Sequence, residues 1–73
     1  MARETVEVPL TGKVISVEVK VGDMVKEDDT LCLLESMKME NPIVSTVSGK
    51  VVEVGVTTGK VVRPGDVIAV IEY

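Results

Sequence analysis

The sequence predicts an all-β protein, built as a flattened β-barrel or sandwich of two four-stranded antiparallel sheets with an approximate internal two-fold axis. Three observations support this fold class. Valine is the most frequent residue, short stretches alternate between apolar and polar residues, and the second half of the chain repeats the first. Branching at Cβ favours strands over helices. No segment shows a sustained helical period with caps.

Two segments carry the alternation that is typical of half-buried strands. "KVISVEVKV" places valines at positions 17, 19 and 21, and "KVVEVGV" places them at positions 52, 54 and 56. Alternate residues of a strand face opposite sides of a sheet, so these valines are expected to line one half-buried face.

The repeat has a fixed offset of 37 residues. Residues 12–35 ("GKVISVEVKVGDMVKEDDTLCLLE") align without gaps over residues 49–72 ("GKVVEVGVTTGKVVRPGDVIAVIE"), and nine of the 24 positions are identical. Glycines and an aspartate are among the identical residues, which makes a chance alignment of valine-rich segments a poor explanation. Neither half can bury its apolar face alone, but two packed halves can.

The turns repeat as well. Gly22 and Gly59 occupy equivalent positions between strands, and residues 27–29 correspond to "Pro-Gly-Asp" at 64–66, which is the signature of a type II turn. Each half then contributes about four short strands. We expect one domain over residues 1–73, with half-repeats at about 5–35 and 43–73 joined by a hairpin at 36–42.

Composition excludes several classes of function. The 73-residue chain has no His, Trp or Phe and a single Tyr, so it lacks the usual general base and the aromatic walls of ligand pockets. We therefore expect no catalytic residues, no metal site and no enzymatic activity of its own. A net charge of −4 argues against nucleic acid as a partner.

Location and redox state follow from similar arguments. No apolar run approaches the ~20 residues that cross a bilayer, so membrane insertion is not expected. The lone Cys32 lies within "TLCLLE" and aligns with Ala69, which predicts a small buried thiol. No signal peptide is visible, and we expect a cytoplasmic protein, with an organellar matrix left open.

The connection between the halves has an unusual composition. It contains "SMKME" at 36–40 in place of the Gly, Asn or Asp of ordinary tight turns, so we expect a positive φ near Met37 or Lys38. The repeat places Lys38 at an exposed tip. A short tip cannot bury both Met37 and Met39, although one of them folding back to plug the end of the barrel is an alternative.

Lys38 has the surroundings of a substrate rather than a catalyst. A nucleophilic lysine is activated by burial or by cationic neighbours, whereas Glu35 and Glu40 flank this one. We therefore expect another enzyme to supply an activated acyl group and to remove the proton from the amine.

These residues resemble the E-A-M-K-M motif of biotinyl domains, the biotin carboxyl carrier family. The likeness rests on "ESMKME" (35–40), "GKV" (12–14), "VKVGDMV" (19–25) and "VRPGDVI" (62–68), and it extends over essentially the whole chain. It implies the barrel-sandwich hybrid fold and covalent biotin on Lys38. The domain would then shuttle carboxybiotin between a biotin carboxylase and a carboxyltransferase or decarboxylase partner.

The resemblance also implies a recognition site for biotin protein ligase. Its residues are Glu35, Ser36, Met37, Met39 and Glu40. Position 36 holds Ser where the family usually has Ala, and we expect little effect from that change. Residues 14–34 contain no insertion that could form the protruding thumb of some family members. The resemblance therefore indicates a thumbless carrier, which is either free-standing or a domain cut from a larger chain.

Two other functions stay open at this point. A lipoyl domain resembles this chain in fold and in its hairpin lysine, and lipoate would then be the cofactor. Its motif lysine is usually preceded by Asp and followed by Ala, whereas Met37 and Met39 occupy those places here. An unmodified interaction module is the second alternative.

Overall fold

Eight β-strands and no helices make up the structure, a computed structural model that describes residues 1–73. The strands are β1 (Arg3–Glu7), β2 (Gly12–Val17), β3 (Met24–Val25), β4 (Thr30–Ser36), β5 (Met39–Val44), β6 (Gly49–Val54), β7 (Val61–Val62) and β8 (Val67–Glu72). They form two four-stranded antiparallel sheets, which confirms the predicted fold class. No helix is present that could cross a bilayer.

The two repeats are interleaved. One sheet has the strand order β1-β8-β6-β3 and the other β5-β4-β2-β7, so each sheet takes two strands from each half of the chain. The strands of one half lie about 37 residues before their counterparts in the other half. Because each half completes the sheets of the other, the apolar surface of both is buried in one shared core.

The β-bulges of the two repeats are also 37 residues apart. The register of β2 against β4 shifts between Val14 and Ser16, and that of β6 against β8 shifts between Val51 and Glu53. A second equivalent pair of shifts lies at 30–32 in β4 and at 67–69 in β8. A bulge inserts one residue and reverses the side on which the following side chains lie.

The ends of β2 and β6 correct part of the predicted alternation. Val17 and Val19 are half-buried against the core, as expected, but β2 ends at Val17 and Val21 is 62% exposed. Extending this strand to residue 21 was therefore wrong. In the second repeat, Val56 is buried although it lies beyond the end of β6.

The predicted turns before β4 and β8 are confirmed. Gly65 has φ 96°, and the amide of Asp66 donates to the carbonyl of Arg63 at 3.0 Å, as a type II turn requires. The first repeat makes the same turn with Asp28, whose φ is 75°. A non-glycine residue therefore occupies a left-handed position that glycine fills in the second repeat.

The core lies between the sheets and draws on both repeats. Its members are aliphatic apart from one thiol: Val6, Val8, Val14, Val25, Leu31, Cys32, Leu34, Ile43, Val51, Val56, Val62, Ile68, Ala69 and Ile71. Cys32 is fully buried, as predicted, and burial raises the pKa of its thiol. Its counterpart in the second repeat, Ala69, is also fully buried.

Candidate functional site

The β4–β5 hairpin turns through only two residues. Ser36 pairs with Met39, so Met37 and Lys38 form the whole turn. Their φ angles are 54° and 64°, which confirms the predicted positive φ and matches the requirement of a type I′ turn at both central positions. Asn and Gly normally occupy these positions. Met37 and Lys38 therefore adopt backbone angles that are unfavourable for residues with long side chains.

Both methionines that flank Lys38 lie in solvent. Met37 is 91% exposed and Met39 is 65% exposed, and neither belongs to the core. The alternative in which one methionine folds back to plug the barrel is therefore wrong. Lys38 between them is exposed and makes no ion pair.

The base of the hairpin is held more firmly than its tip. The Asn41 amide group donates to the carbonyls of Leu34 and Met39, at 3.5 and 3.3 Å, and so ties β5 to β4. On the other side of β4, the backbone of β2 comes so close at Gly12 that a Cβ there would lie 2.8 Å from the carbonyl oxygen of Glu35. Only glycine allows this approach of β2, which supports the strand that ends at the turn.

A row of directly paired residues crosses the sheet next to the turn. It runs from Val61 on β7 through Lys13 on β2 and Glu35 on β4 to Glu40 on β5, and all four side chains are exposed. We call it the hairpin row. Directly paired residues share a face of the sheet, so Glu35 and Glu40 present two like charges side by side.

The second repeat contains an equivalent row near the chain ends, which we call the terminal row. It consists of Met24, Lys50, Glu72 and Arg3 in the same order across the other sheet. Arg3 takes the place of Glu40 and forms the chain's single salt bridge, with its Nε 3.4 Å from the Glu72 carboxylate. The two rows therefore differ in charge at one position only.

A groove of about 370 Å³ opens beside the hairpin row. Its lining residues are Lys13, Val14, Ile15, Glu35, Glu40, Thr58 and Gly59. The loop before β7 forms one wall, because Gly59 donates to the carbonyl of Val14 at 2.7 Å and Val14 donates to that of Lys60 at 2.8 Å. The groove thus joins the hairpin to a loop from the other repeat.

The site presents an amine at an exposed tip. No histidine exists in the chain, no group of side chains could hold a metal ion, and the one thiol is buried in the core. The acidic groups beside Lys38 are the exposed carboxylates of Glu35 and Glu40. The exposed tip and its two exposed methionines leave room for another protein to close over the amine.

The five residues predicted to flank Lys38 as a recognition site lie together in this hairpin. Ser36 is half-buried, and the other four are exposed. Sequence reasoning missed three residues around them, namely Asn41, Lys13 and Thr58. An Asn three residues after a hairpin turn could have been noticed from the sequence alone. Lys13 and Thr58 could not, since they reach the site through sheet pairing and loop packing.

Comparison with known proteins shows the family of the chain that bears this hairpin. The family model described as "Biotin-requiring enzyme", which covers biotin and lipoyl domains, matches residues 4–71. The chain belongs to this family. Within it, the curated relatives support a biotinyl domain.

Two curated relatives illustrate the similarity. The methylmalonyl-CoA decarboxylase subunit gamma of Veillonella parvula is 50% identical over 42 residues, which are 58% of this chain and 33% of that protein. The biotin carboxyl carrier protein of Streptococcus mutans is 48% identical over 44 residues, or 60% of this chain and 34% of that one. The matched regions thus span about a third of the length of these relatives.

Solved structures agree with the fold. The Kluyveromyces lactis urea carboxylase matches 99% of this biotinyl domain, and 6% of its own chain, with a TM-score of 0.89 and 33% identity. The lipoyl domain of the 2-oxoglutarate dehydrogenase complex from Azotobacter vinelandii has a TM-score of 0.74 over 93% of this chain and 96% of its own. At 18% identity, that likeness shows the shared fold alone.

Proposed function

We propose that this biotinyl domain is a biotin carboxyl carrier with biotin joined to the ε-amine of Lys38. The observation that carries the proposal is the position of Lys38, which is exposed at the tip of a strained two-residue turn between two exposed methionines. A long acyl group attached there would displace no packed side chain. Family membership and the names of the relatives support biotin as the group attached.

The proposed role is transport of a carboxyl group. A biotin carboxylase would load the group and a carboxyltransferase or decarboxylase would accept it, since the relatives include a decarboxylase subunit and a urea carboxylase. Bound biotin supplies the carboxyl-accepting ring. The residues of this chain contribute a rigid support and an exposed tip, and tethering raises the concentration of the ring at both active sites.

Attachment would be performed by a biotin protein ligase that recognises the hairpin. We propose that Met37 and Met39 fill apolar pockets of the ligase and that Glu35, Ser36 and Glu40 align the strands against it. Because both methionines are exposed in the free protein, replacing either by Ala should leave the melting temperature almost unchanged while raising the ligase KM. A variant that lost stability instead would show that the methionine has a structural role.

Modification in the presence of competing ligases tests the function. The chain is produced with both a biotin protein ligase and a lipoyl ligase, and Lys38→Arg serves as the control because its guanidinium resists acylation. Mass spectrometry should show one biotinyl group on Lys38 and none on the control. A lipoyl group on Lys38 without biotin would support an acyl-carrier role, and an unmodified chain would support an interaction module.

A further inference from the structure

The groove beside the hairpin row contains polar groups that have no partner within the chain. The ammonium of Lys13, the carboxylates of Glu35 and Glu40 and the hydroxyl of Thr58 line it, and none of them makes a side-chain hydrogen bond or ion pair. Val14 and Ile15 add apolar surface at the same place. The groove therefore combines one cationic donor, two anionic acceptors and an apolar wall.

The second repeat provides an internal control for this groove. The same backbone arrangement surrounds the terminal row, but the residues equivalent to the lining of this groove form no cavity there. The second cavity of the chain, of about 380 Å³, borders Met24 and is lined by other acidic residues, Glu18, Asp23 and Asp29. Three of the seven lining positions differ between the two ends: Arg3 replaces Glu40 and neutralises Glu72, Val21 replaces Thr58, and Val52 replaces Ile15. The fold alone therefore does not require a groove at this position, and the groove that combines Lys13 with the two carboxylates lies at the end that bears Lys38.

We propose that this groove is a docking site for the ureido ring of biotin carried on Lys38 of the same chain. The inference rests on the proposed function. A cyclic urea has one carbonyl acceptor and two N–H donors, and the groove offers the complementary set. Lys13 would donate to the carbonyl, while Glu35 and Glu40 would accept from the N–H groups. Hydrogen bonds to charged groups are stronger than neutral ones.

The distance along the hairpin suits this arrangement. Glu40 lies two residues after Lys38 and Glu35 three residues before it, so the carboxylates are about 7 Å from the turn at roughly 3.4 Å per strand residue. An arm made of a lysine side chain and a valeryl chain is longer than this separation. It can therefore fold back along the hairpin and reach Lys13 on β2.

Docking at this site would be weak and reversible. All four polar side chains that line the groove are exposed, so each contact competes with water. A short tether, however, gives an effective concentration on the order of millimolar, so that a site of millimolar affinity is substantially occupied. The ring would rest against the domain between visits and leave when a partner's active site binds it more tightly.

NMR of the modified protein tests the proposal without measuring any activity. A ¹⁵N-labelled chain is biotinylated at Lys38 by a biotin protein ligase, checked by mass spectrometry and compared with the unmodified chain. Docking predicts amide shifts at 13–15 and 58–59 in addition to those at 35–40. Lys13→Met should lose the distant shifts, whereas Lys50→Met, the equivalent change in the terminal row, should retain them.

The outcomes separate this inference from the function on which it rests. A chain that carries biotin on Lys38 but shows shifts only at 35–40 would overturn docking and leave the carrier role intact. Distant shifts that persist unchanged in Lys13→Met would overturn the assignment of the ring to this groove. Absence of any biotinyl group on Lys38 would remove both proposals.

Discussion

Glu35 lies directly opposite Glu40 in the β4–β5 hairpin, so two exposed carboxylates face each other beside the turn that bears Lys38. At the equivalent positions of the other repeat, Glu72 faces Arg3 and forms a salt bridge with it. Like charges in directly opposed strand positions are destabilising. The hairpin thus carries a repulsion that this fold avoids at its other end, so the acidic pair does not serve to stabilise the fold.

Replacing Glu40 by Arg should stabilise the protein. The change copies the terminal row and turns a repulsive cross-strand pair into an attractive one, for a gain of roughly 0.2–1 kcal/mol in the free energy of unfolding. Urea unfolding at low ionic strength measures it, and the gain should shrink in 1 M salt because both groups are exposed. The matched control is Arg3→Glu, which should lower stability by a similar amount. A Glu40→Arg variant no more stable than the parent at low salt would contradict this account of the row.

The Met37–Lys38 turn should make the protein less stable than a turn made of Asn and Gly at the same positions would. Replacing Met37 by Asn and Lys38 by Gly supplies the residues that accept positive φ at both positions, and we expect a gain of about 1–2 kcal/mol. For a domain of this size, each kcal/mol corresponds to a rise of about 4–8 °C in the melting temperature. Biotinylation should be lost at the same time.

Lys38→Arg separates the two effects of that double change. It keeps the φ angle and removes the acceptor amine, so stability should stay within about 0.5 kcal/mol while biotinylation is lost. An Asn-Gly variant that melts at or below the temperature of the parent would show that the turn is not strained.

Asp28→Gly provides an independent test of strain in the first repeat. Asp28 has φ 75° at the position where Gly65 serves in the second repeat. Glycine relieves the left-handed conformation but adds entropy to the unfolded chain, so the net gain should be only about 0.5 kcal/mol. Gly65→Asp is the reciprocal control and should destabilise. Chemical denaturation of both variants measures the difference, and a less stable Asp28→Gly protein would rule out the proposed strain.

The buried thiol should make stability depend on alkaline pH. Because burial raises the pKa of Cys32, the native state keeps the thiol proton at pH values where the unfolded chain, with a pKa of about 8.5, loses it. The contribution of Cys32 is therefore complete below about pH 8.5 and is lost as the pH rises beyond that. Cys32→Ala, which copies Ala69, should cost about 1 kcal/mol at pH 7 and should flatten the decline between pH 8 and 10. Equal declines in the two proteins would contradict this.

Much of the fold could be predicted because one signal appears twice. The offset of 37 residues aligned glycines, turn residues and apolar positions, and the structure confirms two four-stranded sheets and equivalent turns at 26–29 and 63–66. The hairpin tip followed from the same repeat, since the chain ends occupy the corresponding place. Ala2 and Tyr73, the counterparts of Met39 and Ser36, donate amide hydrogens to each other's carbonyl groups.

What escaped prediction depends on contacts between the two halves. Alternation of valines suggested that Val21 would be half-buried, but β2 ends at Val17 and Val21 lies exposed beyond it. The groove was missed because it needs Lys13 on β2 to lie beside Glu35 on β4 and the loop at 58–59. The periodicity within either half does not predict these contacts, because they form only when the strands of the two halves interleave.

The most direct test of the central claim is the site of modification after incubation with biotin protein ligase, biotin and ATP. Digestion and tandem mass spectrometry should find one biotinyl group, on Lys38 and on none of the other lysines, and Lys38→Arg should stay unmodified with an unchanged melting temperature. Biotin on a different lysine, or no modification of a folded chain, would contradict the carrier function proposed for this hairpin.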